Sequence, residues 1–147
     1  MQVGVSNLLT RGSLFADRFS AKRSLANRAG PTSFAQFAKE SLGCRFFNFL
    51  SAVDWKEQGL EVVARVDNLE DGVSLMLKTK LGPGVNTCAS LTPVYRGANW
   101  MERECFDMFG IRFDNHPDLR RILLEDGWEG HPLLKSYAVD TPHPPYR

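Results

Sequence analysis

The stretch from Leu60 to Leu81 limits what this chain can fold into more than any other. Val73, Leu75, Leu77, Thr79 and Leu81 alternate with Ser74, Met76, Lys78 and Lys80. Successive side chains on a strand point to opposite faces, so this alternation reads as a strand with one apolar and one wet face. Leu60 to Val66 reads as a second strand, with Leu60, Val62, Ala64 and Val66 on one side, and Asp67 to Gly72 is the turn between the two. Gly82-Pro83-Gly84 breaks the chain. Ala89 to Tyr95 is a further candidate strand, which Pro93 confines to an edge or a strand end.

Upstream, Thr32 or Ser33 is placed to cap a short helix running to about Leu42, with Phe34, Phe37, Ala38 and Leu42 on one face and Gly43 closing it. Cys44 to Trp55 is rich in Phe, has no Gly or Pro, and is apolar on both parities. It reads as a strand buried on both faces. A helix followed by strands on short turns implies an α+β fold: a mostly antiparallel sheet of three or four strands with helices on one face.

Residues 97 to 147 read differently. Asn99 stands three residues before Glu102, as in a capping box, and Gly110 lies at a helix-ending position, so a helix of about three turns is expected to end at Phe109. Arg103 and Asp107 form an i,i+4 pair on it. A helix this short is unstable unless packed. Past it come His116-Pro117, Gly130-His131-Pro132 and Thr141-Pro142-His143-Pro144-Pro145, and each X-Pro step favours extended backbone. The expected organisation is a variable amino-terminal arm (1–31), an α+β core (32–109) and an extended, proline-punctuated carboxy-terminal interaction arm (110–147) ordered mainly by a neighbouring protein.

Composition narrows the function classes. A chain of 147 residues fits one domain. Its net charge of +1 gives no field that calls for nucleic acid or an anionic membrane. No apolar run approaches the roughly 18 residues of a membrane span. The first region carries Arg11, Arg18, Lys22, Arg23 and Arg28 against Asp17 and is rich in Ser. That composition suits an organelle transit peptide or, as the preferred reading, a short strand, a helix or a basic arm closed by a turn at Gly30-Pro31. Cys44, Cys88 and Cys105 are isolated and form no CxxC pair, so they read as buried thiols and not as a disulfide, zinc or iron–sulfur framework.

No self-contained active site emerges. His116, His131 and His143 lack HxxxH or HExxH spacing, and no phosphate-cradling glycine motif is present. Glu102, Glu104 and Asp107 are close enough for proton transfer, but Arg103 sits among them, and ion-paired carboxylates are poor general acids. A salt-bridged helix that anchors a loop through Arg120 or Arg121 is preferred over a hydrolase. Catalytic, cofactor-binding and metal residues are therefore all read as none, and interaction is the default.

Residues 100 to 137 carry a longer pattern. Glu102-Arg103-Glu104, Asp107, Met108-Phe109, His116, Arg120 and Ile122-Leu123 match throughout, with a second Gly-His-Pro-Leu at 130–133. This resembles the 30-kilodalton subunit family of respiratory complex I, the C subunits of the bacterial enzymes, over about residues 34 to 140. Leu134 and Ser136 depart from the family pattern, which usually has Arg-Lys after the His-Pro-Leu and Asp at the second position.

The resemblance implies a subunit of proton-pumping NADH–quinone oxidoreductase that is inactive alone. FMN, iron–sulfur clusters, NADH and quinone would belong to the holoenzyme and none of them to this chain. It implies packing on the 49-kilodalton (D) subunit and near the cluster-bearing (B) subunit of the quinone site. Membrane contact would come only through the complex, on the cytoplasmic face of the bacterial plasma membrane or, alternatively, the mitochondrial matrix side. Related membrane-bound hydrogenases and ferredoxin- or coenzyme-F420-driven dehydrogenases use a homologous subunit and remain alternatives. The residues assigned to the subunit interface are Trp100, Glu102, Arg103, Glu104 and Asp107 on the helix. Phe113, His116, Pro117, Arg120 and Arg121 follow it, and Trp128, His131, Pro132 and Lys135 lie in the tail.

Overall fold

The structure, a computed structural model, describes residues 30–138 in full and the backbone of residues 2–9. The alternating segments form the strands expected of them. Strands β1 (Gln2–Leu9), β2 (Phe46–Asp54), β3 (Leu60–Asn68) and β4 (Val73–Lys80) make one antiparallel sheet in the order β1-β4-β3-β2. In the β3–β4 pair Ala64 lies opposite Leu77 and Val66 opposite Leu75. This brings the buried parity of both strands onto one face. The turn between them is built by Asn68, whose side-chain oxygen accepts the N–H groups of Glu70 and Asp71. Its amide donates to Leu42 O and so ties the turn to the end of helix α1 (residues 30–41).

Helix α1 and its end send Phe34, Ala38 and Leu42 into the core with Phe37 packed partly against it, the face their spacing predicts, and Ala35 joins them. Helix α2 (Ala98–Phe109) adds Cys105 and Phe109 to the same apolar cluster. The core is closely filled: a void of only about 10 Å³ remains between Phe34, Val62, Leu77, Leu91 and Phe113. Strand β2 is an edge strand, and an edge left bare invites pairing with another chain. Part of this edge is covered, because Leu50 N–H donates to Met101 Sδ of α2 at 3.1 Å.

Three expectations about these elements change. Cys44 to Trp55 is not buried on both faces: Cys44 is buried, but Phe46 and Asn48 are exposed, and within β2 burial begins only at Leu50. The apolar run extends beyond the area that the helices cover. Ala89 to Tyr95 is not a strand: β5 is Thr87–Ala89, and residues 91–95 form a turn closed by Val94 N and Tyr95 N on Leu91 O. Strand β5 pairs in parallel with β6 (Arg112–Asp114), a strand too short for its periodicity to be read. Finally, α2 starts at Ala98 from Gly97, with no side-chain cap, so Asn99 and Glu102 form no capping box.

The amino-terminal segment contributes β1, and Gly30 and Pro31 lie within α1 where a closing turn was expected. The transit-peptide reading otherwise falls on residues 10–29, outside the described residues, as does the tail beyond 138. Between 110 and 138 the chain is largely irregular, as expected. It nevertheless lies on its own domain: Ile111 and Phe113 are core residues, and Lys135 N–H donates to Asp54 Oδ2 at the end of β2.

Candidate subunit interface

Two carboxylates of α2 have no solvent exposure and point in different directions. Glu102 is 0% exposed. It accepts from Ser90 Oγ (2.7 Å), Leu91 N–H (2.6 Å) and Thr92 Oγ1 (3.2 Å), which fixes the turn after β5 against the helix. Burial pushes its carboxyl above the ordinary range, and the three donors oppose that shift only in part. His116 Nε2 approaches Glu102 to 4.0 Å. However, Nδ1 of His116 accepts the Asp118 N–H at 3.0 Å, so the proton sits on Nε2, which donates to Asn99 O at 3.1 Å. The His116–Glu102 approach is therefore a dipolar contact and not an ion pair.

Asp107 is also 0% exposed, under a single layer of loop. Its Oδ2 accepts three consecutive backbone N–H groups, from Ile122 (3.2 Å), Leu123 (2.9 Å) and Leu124 (2.9 Å). Its Oδ1 accepts from Arg121 Nη1 at 3.1 Å. Burial is the largest single influence on this carboxyl and would raise it. The three N–H groups and the Arg121 charge together outweigh burial and hold it below the ordinary carboxylate range.

Arg103 completes the grip. Its Nε donates to Arg120 O (3.1 Å) and its Nη2 to Arg121 O (3.0 Å). The residues at i and i+4 do not pair with each other. One takes the loop's carbonyls and the other its N–H groups. Of the two anchors expected from the loop, Arg121 binds the helix, while Arg120 pairs at the surface with Asp118.

The Gly-His-Pro-Leu segment closes the other end of α2. Gly110 is left-handed (φ 72°) and its N–H returns to Phe106 O. His131 Nδ1 donates to Asp107 O at 2.7 Å, and Leu133 N–H donates to Met108 O at 3.1 Å. Successive terminal carbonyls of the helix thus each receive a donor. A Cβ at Gly110 would stand 2.7 Å from His131 Nε2, so this position needs glycine for both conformation and space.

The structure sorts the residues assigned to the interface into three groups. Glu102, Arg103, Asp107 and Phe113 are buried, so they shape the surface from beneath instead of presenting it. Arg121, Trp128, His131 and Pro132 are half-buried, as is His116 although its ring is itself covered, and Trp100, Glu104, Pro117, Arg120 and Lys135 are exposed. Sequence reasoning missed Ser90 and Thr92 as partners of Glu102. It also missed Asp54, which accepts the Lys56 and Lys135 N–H groups at 2.7 and 2.8 Å. All are polar residues in stretches read only for their apolar pattern.

Fold and site together define a small α+β module whose charged residues hold a shaped surface. Of the two acids a hydrolase would use, Glu102 is sealed from solvent and Glu104 is exposed. The family model described as respiratory-chain NADH dehydrogenase, 30 Kd subunit, matches residues 26–143, and the chain belongs to that family. The NADH-quinone oxidoreductase C subunit of Rhodobacter capsulatus is 42% identical over 114 residues, which cover 75% of this chain and 57% of that protein. The same-named protein of Geotalea uraniireducens (strain Rf4) is 37% identical over 118 residues, covering 78% and 72%. The chain thus spans little more than half of the first relative's length. Among solved structures, a trypsin-resistant fragment of Nqo5 shares the fold, with a TM-score of 0.51 and 22% identity over 70% of this chain and 76% of that one.

Proposed function

We propose that this chain is a cofactor-free scaffold subunit in the peripheral arm of a proton-pumping NADH–quinone oxidoreductase, packed on the 49-kilodalton subunit near the quinone site. The observation that carries the reading is the family match over residues 26–143. Three features of the chain support it. Among the described residues, no three His, Cys, Asp or Glu side chains come together as a metal would require. Burial pushes the Cys44 thiol up to about 11, the Cys88 thiol up to about 12 and the Cys105 thiol higher still. Such thiols hold their protons at neutral pH and are poor metal ligands. Among the described residues no helix is long and apolar enough to cross a membrane.

The test is genetic and biochemical together. Deleting the gene should abolish quinone-linked NADH oxidation by membranes, and restoring the full chain should recover it. The purified chain alone should oxidise no NADH and contain no stoichiometric flavin or iron. Undiminished NADH–quinone activity after deletion would refute the proposal, and so would a cofactor in the isolated chain.

A further inference from the structure

Arg103 is 8% exposed, yet it has no carboxylate partner among the described residues. Their Arg–carboxylate pairs join Arg65 to Asp67, Arg120 to Asp118 and Arg121 to Asp107. A guanidinium carries five N–H donors on three nitrogens. Two of these nitrogens serve the Arg120 and Arg121 carbonyls, while Nη1 meets no described acceptor and keeps access to solvent. The guanidinium is thus held in place by neutral carbonyls, with its charge uncompensated and one edge open at the surface to an anion. Its other neighbour is Trp100, whose ring centroid lies 5.4 Å from the guanidinium carbon. The Trp100 residue is 66% exposed. Leu123, also exposed, sits in the loop that Arg103 and Asp107 hold.

We propose that the Nη1 edge of Arg103 receives an Asp or Glu side chain of a partner protein, with Trp100 and Leu123 as the apolar surround of that contact. The proposal rests on the chain being one component of a larger complex. Binding hot spots are enriched in Trp and Arg and ringed by contacts that keep water from the pair. A carboxylate matches the planar guanidinium edge geometrically as well as in charge. A single guanidinium edge flanked by the exposed apolar Trp100 and Leu123 suits one carboxylate and not the repeated phosphates of a nucleic acid, which call for a row of cations.

The experiment uses the full chain in its own membranes. With Leu123→p-benzoylphenylalanine, illumination should join the chain to one protein of the complex, within a segment containing Asp or Glu. Trp100→Ala, which removes an exposed ring outside the apolar core together with its stacking on Arg103, should leave the melting temperature of the purified chain near that of the unsubstituted one and lower incorporation into the complex by roughly tenfold or more. Arg103→Glu should abolish incorporation, and exchanging the contacted acid for Arg should restore it. Because Arg103 also holds the loop, melting of the purified Arg103→Glu chain is compared with that of the unsubstituted one. If that variant does not fold, the Trp100→Ala loss and the cross-linked segment decide. Cross-linking to lipid or nucleic acid, a contacted segment without an acid, or normal incorporation of Trp100→Ala would overturn this proposal and leave the subunit reading standing. Failure of the unsubstituted chain to enter any NADH-oxidising complex would overturn both.

Discussion

At the scale of single residues, Asp107 and Glu102 make opposite predictions from similar burial. Removing Asp107 leaves three N–H groups and a guanidinium without their acceptor, and orphaned buried partners of this kind cost about 3 kcal/mol or more. Asp107→Ala should therefore lower stability by that order in a urea titration. Asp118→Ala, which breaks only an exposed pair with Arg120, should change it by less than about 1 kcal/mol. The pH dependence separates the two buried acids. Asp107 is depressed from its ordinary 3.8, so its contribution is present above that pH and lost as pH falls through the folded value. Glu102 is raised from its ordinary 4.5, so its contribution is full below that pH and lost as pH rises through the folded value. The destabilisation caused by Asp107→Asn should accordingly grow with rising pH near 3.8, while that caused by Glu102→Gln should shrink above 4.5. Parallel slopes would mean that the two carboxylates share one environment. That Glu102, Arg103 and Asp107 matter was legible in their spacing. Their partners were not, because those partners are mostly backbone groups of residues 91 and 120–124, and backbone leaves no trace in side-chain pattern.

At the scale of elements, strand legibility followed how directly burial shaped the sequence. Strand β4 buries one face cleanly, β3 buries Val62, Ala64 and Val66 on the same face while also covering Glu61 and Asp67 on the other, and the apolar alternation located both within two residues. Strand β2 misled because its Phe-rich start is apolar without being buried, leaving Phe46 at the surface. Strands β5 and β6 are three residues each and pair only with one another, so no local signal announced them. Helix α2 was legible at its carboxy end, where Gly110 is required, and misread at its start, where no side chain caps it. The carboxy end gives a sharp prediction. Gly110→Ala combines a left-handed alanine, unfavourable by about 1–2 kcal/mol, with a collision against His131. It should lower the melting temperature more than His131→Ala, which removes one cap bond worth roughly 1 kcal/mol. Equal effects would mean that the imidazole moves aside and the space argument is wrong.

For the whole molecule, the fold class was readable from the sequence, but the disposition of residues 110–138 was not. Proline punctuation and dispersed apolar residues suggested a segment waiting for a neighbour. The structure ties it down at Asp107, Met108 and Asp54 with polar bonds that no apolar periodicity encodes. Hydrogen exchange on the isolated chain should therefore find slowed amides at 122–124, 133 and 135, each of which has an acceptor. Cutting after Gly110 should also unfold the domain, since Ile111 and Phe113 would leave the core with the tail. Exposed groups such as Trp100, Leu123 and Leu133 then remain as the surface left for a partner. The most direct measurement is native electrophoresis of detergent-solubilised membranes carrying the tagged full chain, stained in the gel for NADH oxidation. The tag and the activity should migrate together as one large band, and both should shift when the chain is enlarged by a fused domain. A tag that runs only as the free chain, apart from an intact NADH-oxidising band, would contradict the assignment of this chain as a subunit of that enzyme.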